Sequence, residues 1–133
     1  MAVESVYYAR SRDVMGSVDD RENMSRLRRM FPRATIRIVS RQECRVDARK
    51  AKSMEPFFDI VDAVDVVVID ERNPGLVSAG VFSEAQHALH QGKPVYSLRA
   101  DGTYRVESVH TVKNAGKNQS QAGDWARVFS RKL

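Results

Sequence analysis

An α/β fold, with a mainly parallel five-stranded sheet between two helical layers, is what this sequence predicts. Three observations carry that expectation. Strand-like and helix-like segments alternate along most of the chain, the pattern of parallel strands joined by crossover helices. The run Val66-Val67-Val68-Ile69 has no polar side chain, as expected of a strand covered on both faces. Gly92 and Pro94 then punctuate the passage from a helical pattern into another apolar run, glycine closing the helix and proline opening the strand.

The elements follow in order. Val3 to Tyr8 is β-branched and aromatic and predicts a first strand. Arg10 to Ser17 is a polar loop. Ser17 or Asp19 can cap a helix to about Met30, with Met24, Leu27, Met30 and Phe31 on its apolar side. Pro32 ends it. Thr35 to Val39 alternates as a second strand, and Arg41 to Lys52 reads as a loop passing into a helix. Glu55 to Val64 predicts a short helix carrying Phe58, Ile60 and Val61 inward, followed by a third strand, Val64 to Ile69. Arg72 to Ala79 is expected to be loop. Val81 to Gln91 is a helix with Val81, Phe82, Ala85, Ala88 and Leu89 on one face. Pro94 to Leu98 and Tyr104 to Val112 complete the strands. Asn114 to Gln119 reads as mobile, and Gln121 to Lys132 as a closing helix with Trp125, Val128 and Phe129 inward. The order β-α-β-α-β-α-β-β-α is that of a doubly wound, Rossmann- or flavodoxin-like sheet.

The length of 133 residues suits one domain, residues 1–133. No apolar run approaches the ~20 residues that a membrane span needs, and no secretory leader is visible at the start. Cys44 is the single cysteine, so a reducing cytoplasm is the expected setting. The net charge of +5 is unevenly placed: Arg26 to Lys52 is strongly basic, whereas Ser53 to Glu71 has acidic residues and no basic ones. A basic surface attracts phosphates, of a nucleotide or of a nucleic acid, and also simply keeps a protein in solution.

The chemistry-bearing residues gather where strands deliver the chain to helices, the ligand-binding edge of open α/β sheets. Glu84 falls about one turn inside the helix opening near Gly80, where the helix dipole favours an ionised carboxylate. Such a carboxylate can attack an anomeric carbon or merely complement the dipole. Arg10, Ser11 and Arg12 follow the first strand and can pair with phosphate oxygens. Asp59, Asp62 and Asp65 recur every three residues, so two at most share a helix face. His87 and His90 stand three apart, but no zinc-protease His-Glu-x-x-His pattern exists and no metal is expected. No cofactor motif appears either: a Walker lysine loop and a Gly-x-Gly-x-x-Gly turn are both absent.

Taken in order, these segments resemble the nucleoside 2-deoxyribosyltransferase-like family, which includes 2-deoxyribosyltransferases and 2′-deoxynucleoside 5′-phosphate N-hydrolases. Val6-Tyr7-Tyr8 and its Ser- and Arg-bearing loop resemble the family's opening strand and loop. Ala63-Val64-Asp65-Val66-Val67-Val68 resembles its Ala-Asp-x-Val-Val strand, Gly80 to Glu84 its Gly-x-x-x-Glu, and Gly92-Lys93-Pro94-Val95 its Gly-Lys-Pro-Val segment. The chain departs from the pattern at Ala9-Arg10, where the family has glycine, and at Phe57, where it often has an acid; Asp59 and Asp62 are the nearest carboxylates.

The resemblance implies an enzyme without cofactor or metal, a nucleotide or nucleoside N-glycosyl hydrolase or 2-deoxyribosyltransferase. Glu84 would be its nucleophile at C1′, with Asp59 as a second carboxylate and Tyr8 against the sugar. Arg10, Ser11, Arg12, Ser78 and Gly80 would hold the substrate and its 5′-phosphate. The basic surplus leans the reading toward a nucleotide and hydrolysis. The resemblance also implies a homodimer or larger assembly. Two alternatives stand beside it: a non-catalytic nucleotide-binding or sensing module on the same fold, and a basic nucleic-acid-binding accessory protein.

Overall fold

The computed structural model describes residues 3–10, 14–39, 55–71, 76–99, 104–106, 112–117 and 124–128. Four parallel strands form its centre: β1 (Ser5–Ala9), β2 (Thr35–Arg37), β3 (Val66–Glu71) and β5 (Val95–Arg99). Their order is β2-β1-β3-β5, extended by β6 (Tyr104–Val106), which pairs antiparallel with β5. The helices are α1 (Val18–Met30), α2 (Glu55–Ala63) and α3 (Ala79–His90).

Strand alternation divides the core in two. Val6, Tyr8, Val66, Val68 and Leu98 meet Leu27, Met24, Met30 and Phe31 at the α1 face. Tyr7, Ala9, Val67, Ile69 and Val95 meet Phe57 and Val61 of α2 and Val81, Ala85 and Ala88 of α3. All four residues of the run from Val66 to Ile69 are buried, because both faces of β3 are covered.

The helix ends follow from sequence chemistry. Ser17 caps α1, its Oγ accepting the Asp20 backbone N–H at 3.1 Å. The Phe31 N–H still reaches the Leu27 carbonyl, and Pro32 then denies the helix a further donor. Gly92 takes φ +75, the left-handed turn that lets the chain leave α3 toward β5. At the same, amino-terminal end of the strands, Asp65 Oδ2 accepts the backbone N–H groups of Glu4 and Ser5 at 2.9 and 3.1 Å, tying the starts of β1 and β3 together.

Several expectations are corrected. Asp124–Val128 is a strand, β8, not part of a closing helix. It lies between β4 (Leu76–Ser78) and β7 (Val112–Lys117) in a separate three-stranded antiparallel sheet beside α3. Over five residues, Trp125 and Val128 fit a helical spacing, yet pairing with two neighbours decides for a strand. The expected loop before α3 contains β4, and the segment read as mobile begins within β7, where a register shift between Asn114 and Gly116 marks a bulge. The single strand expected over residues 104–112 is two, β6 and the start of β7. Phe57 rather than Phe58 enters the core. The expected loop-to-helix passage from Arg41 to Lys52 lies outside the described residues, as do Ser11 and Arg12. Among the described residues no helix is long and apolar enough to cross a membrane.

Candidate functional site

The strand order places a topological switch between β1 and β3. From β1 the chain continues through α1 to β2 on one side, and from β3 through α3 to β5 on the other. In open α/β sheets the carboxyl ends of two such strands are the usual ligand position. Two polar clusters sit at these strands, one on each face.

On the α3 face, the Tyr7 hydroxyl donates to Glu84 Oε1 at 3.1 Å in a buried environment. Glu84 is only 5% exposed. Burial pushes its carboxyl up to about 8, opposed in part by the bond from Tyr7. Two sequence expectations change here. With Ala79 as the first helical residue, Glu84 falls in the second turn, and the first turn of α3 holds no acid. The helix dipole therefore contributes less than expected, and desolvation dominates, favouring the neutral carboxyl. The hydroxyl partner of Glu84 is Tyr7, whereas Tyr8, expected against the sugar, lies on the other face of β1.

Tyr8 points to the α1 face and has a different set of partners. Its hydroxyl accepts from Asn23 Nδ2 at 3.0 Å, and the same amide nitrogen donates to Asp70 Oδ1 at 3.1 Å. Asn23 Oδ1 accepts from Arg26 at 2.9 Å. Burial and then the Asp70 charge push the Tyr8 phenol above its ordinary value. Asp70 ends the apolar run of β3, and burial, followed by repulsion from Asp20, raises its carboxyl to about 6.

Arg10 continues from β1 into the same cluster. Its Nε donates to Asp20 Oδ1 at 2.6 Å, with side-chain exposures of 5% and 8% for the two partners. A second donor reaches the Val39 carbonyl at 3.2 Å, and the guanidinium carbon lies 5.4 Å from the centre of the Tyr8 ring. Asp20 Oδ2 also accepts the Gly16 N–H at 2.9 Å. The arginine expected to meet a substrate phosphate is instead bound to an internal carboxylate.

The remaining candidates are dispersed. Asp59 is exposed on α2, whereas Glu84 is buried on the inward side of α3. Phe57, at the position where an acid was sought, fills the core against Val61. Ser78 ends β4 and Gly80 is the second residue of α3. His87 stacks on Phe58, ring centroids 4.4 Å apart, and its Nε2 lies 2.8 Å from Asp62 Oδ1. Gln91 joins the same carboxylate, so this group clasps α2 to α3. Among the described residues, no three His, Cys, Asp or Glu side chains are grouped to hold a metal.

Sequence reasoning missed Tyr7, Asn23 and Asp70. Signals for two of them were present. Asp70 is the polar residue that closes the apolar run of β3, and Asn23 is a polar residue on the apolar stripe of α1. Comparison of the chain with protein-family models, with curated proteins and with solved structures gave no match.

Proposed function

We propose that this chain cleaves an N-glycosidic bond in a (deoxy)nucleoside or nucleoside 5′-monophosphate, releasing or exchanging the base. The observation that carries the reading is the buried Tyr7–Glu84 pair, whose tyrosine lies on β1 beside the topological switch. A carboxyl group held by one hydrogen bond in a water-poor setting suits attack on a sugar carbon, because Coulombic attraction to a cationic transition state is strong there. In this mechanism Glu84, once ionised, attacks C1′. The C1′–N bond breaks, and its electron pair leaves with the base. Water, or a second base, then opens the glycosyl ester and restores the carboxylate. Tyr7 holds the carboxyl in orientation throughout. We read the sheet as the doubly wound, Rossmann- or flavodoxin-like type, and the protein as a cytoplasmic homodimer.

A non-catalytic nucleotide-binding module is the second reading, favoured by the same burial of Glu84, since a neutral carboxyl at rest is a ready hydrogen-bond donor to a ligand. One experiment separates them. The protein is incubated with nucleosides and 5′-monophosphates, and free base is measured by chromatography. Catalysis predicts release that falls by roughly a hundredfold or more in Glu84→Gln, with the circular dichroism spectrum unchanged. No release from any substrate by the unsubstituted protein would overturn the catalytic reading.

A further inference from the structure

We propose that the solvent face of α1 docks the phosphate backbone of a double-stranded nucleic acid through Arg21, Arg28, Arg29 and Arg33. This surface does not include the Tyr7–Glu84 pair, so the inference is independent of the function proposed above. Three observations argue for it.

First, α1 sorts its side chains by face. Asp20, Asn23 and Leu27 are buried, whereas Arg21, Ser25, Arg28 and Arg29 are exposed. Positions four, seven and eight residues beyond Arg21 share its side of the helix. Arg21 and Arg28 are thus two turns apart, about 10 Å along the axis. Arg33, in the turn that follows α1, is exposed as well. Second, the segment carries little compensating charge of its own. From Arg26 to Ile38 the sequence has five arginines and neither Asp nor Glu. The acids of α1, Asp19, Asp20 and Glu22, all lie in its amino-terminal half. None of the four arginines enters the ion pairs Arg10–Asp20, Arg26–Glu22 and His87–Asp62. Arg21 gives one donor to the Gly16 carbonyl at 3.3 Å, and a guanidinium has further donors to offer. The helix dipole accounts for Arg28 and Arg29 in the last turn. It does not account for Arg21 near the helix start, or for Arg33 beyond the helix.

Third, the chemistry of these side chains selects the partner. The first lysine of the chain is Lys50, so every cation of this face is an arginine. The planar guanidinium fork pairs with phosphate oxygens two at a time, which lysine does not do. Proteins hold single strands by stacking bases on aromatic side chains, and α1 contains no aromatic residue. Charges fixed along a rigid helix instead suit a duplex, where a negative charge recurs every ~1.7 Å of axis.

The test is fluorescence anisotropy of a short labelled DNA duplex, titrated with the protein over a series of salt concentrations. The logarithm of affinity is expected to fall with the logarithm of salt at a slope of roughly 3 to 4, about 0.9 for each phosphate contact. Replacing both Arg28 and Arg29 by Gln should lower that slope by about 2 and weaken low-salt binding by roughly tenfold or more, with the circular dichroism spectrum unchanged. Arg33→Gln, outside the helix, should lower the slope by about 1 and carries the test if the double variant does not fold. Arg37→Gln is the comparator. Ile36 packs toward α1, so alternation sends the exposed Arg37 to the other face of β2. This variant removes one charge and should leave the slope unchanged. Absence of duplex binding at low salt, or a slope unmoved in the folded variants, would overturn the proposal. So would an equal effect of Arg37→Gln and Arg33→Gln, which would reduce the attraction to the net charge of +5. A matching single strand bound more tightly than the duplex would overturn it too, as would phosphatidylserine vesicles that displace the duplex.

Discussion

Glu84 couples the stability of this protein to pH. Its carboxyl in the folded chain is raised from an ordinary 4.5 to about 8 by burial. The unfolded chain therefore loses that proton first, and between those two values it binds fewer protons than the folded one. Stability contributed by the neutral form is complete in acid and is lost as the pH rises toward about 8. Glu84→Gln should flatten this part of the profile and raise the urea midpoint at pH 8 relative to the parent, as read by denaturant titration at several pH values. An unchanged slope would mean that the carboxyl is not desolvated. At this scale the sequence placed Glu84 on the right helix but misjudged its environment, because burial of one residue depends on what packs over it. The choice between Tyr7 and Tyr8 was equally out of reach. Alternation puts them on opposite faces of β1, yet nothing local says which face α3 covers.

Among the elements, α1 was the most legible, since its cap, its apolar stripe and the proline after it are all local signals. Ser17 does more than end a helix. Its oxygen holds the Asp20 backbone, and the Asp20 side chain holds Arg10 at the end of β1. Ser17→Ala should cost about 1 kcal/mol of stability, the typical loss for an N-cap, measured as a shift in urea midpoint. A change indistinguishable from zero would argue that Asp20 alone fixes this end of the helix. β8 shows the converse case. Its five residues contain no turn or cap signal, and one of the two strands it pairs with, β4, is distant in sequence.

For the molecule as a whole, alternation of segments foretold the α/β character, but strand order is set by pairing and could not be read from the chain. The core is divided by the sheet, so each face depends on few side chains. Leu27 is fully buried and is the principal apolar contribution of α1 to its face. Leu27→Ala should destabilise the protein by roughly 2–5 kcal/mol, the range for a leucine cavity, as measured by chemical denaturation. A smaller loss would mean that Met24 and Met30 close over the gap. The strand order has one more consequence, which concerns time rather than equilibrium. β1 leaves the ribosome before β2 and β3, yet it belongs in the interior of the sheet, between them. Until β3 has been synthesised, the apolar segment Val6–Ala9 carries an open backbone edge that the native partner cannot cover. Parallel pairing across such a distance is slow to form, and an exposed strand edge invites other chains. The nascent protein is thus most vulnerable to aggregation early, before the half of the chain that holds Glu84 exists.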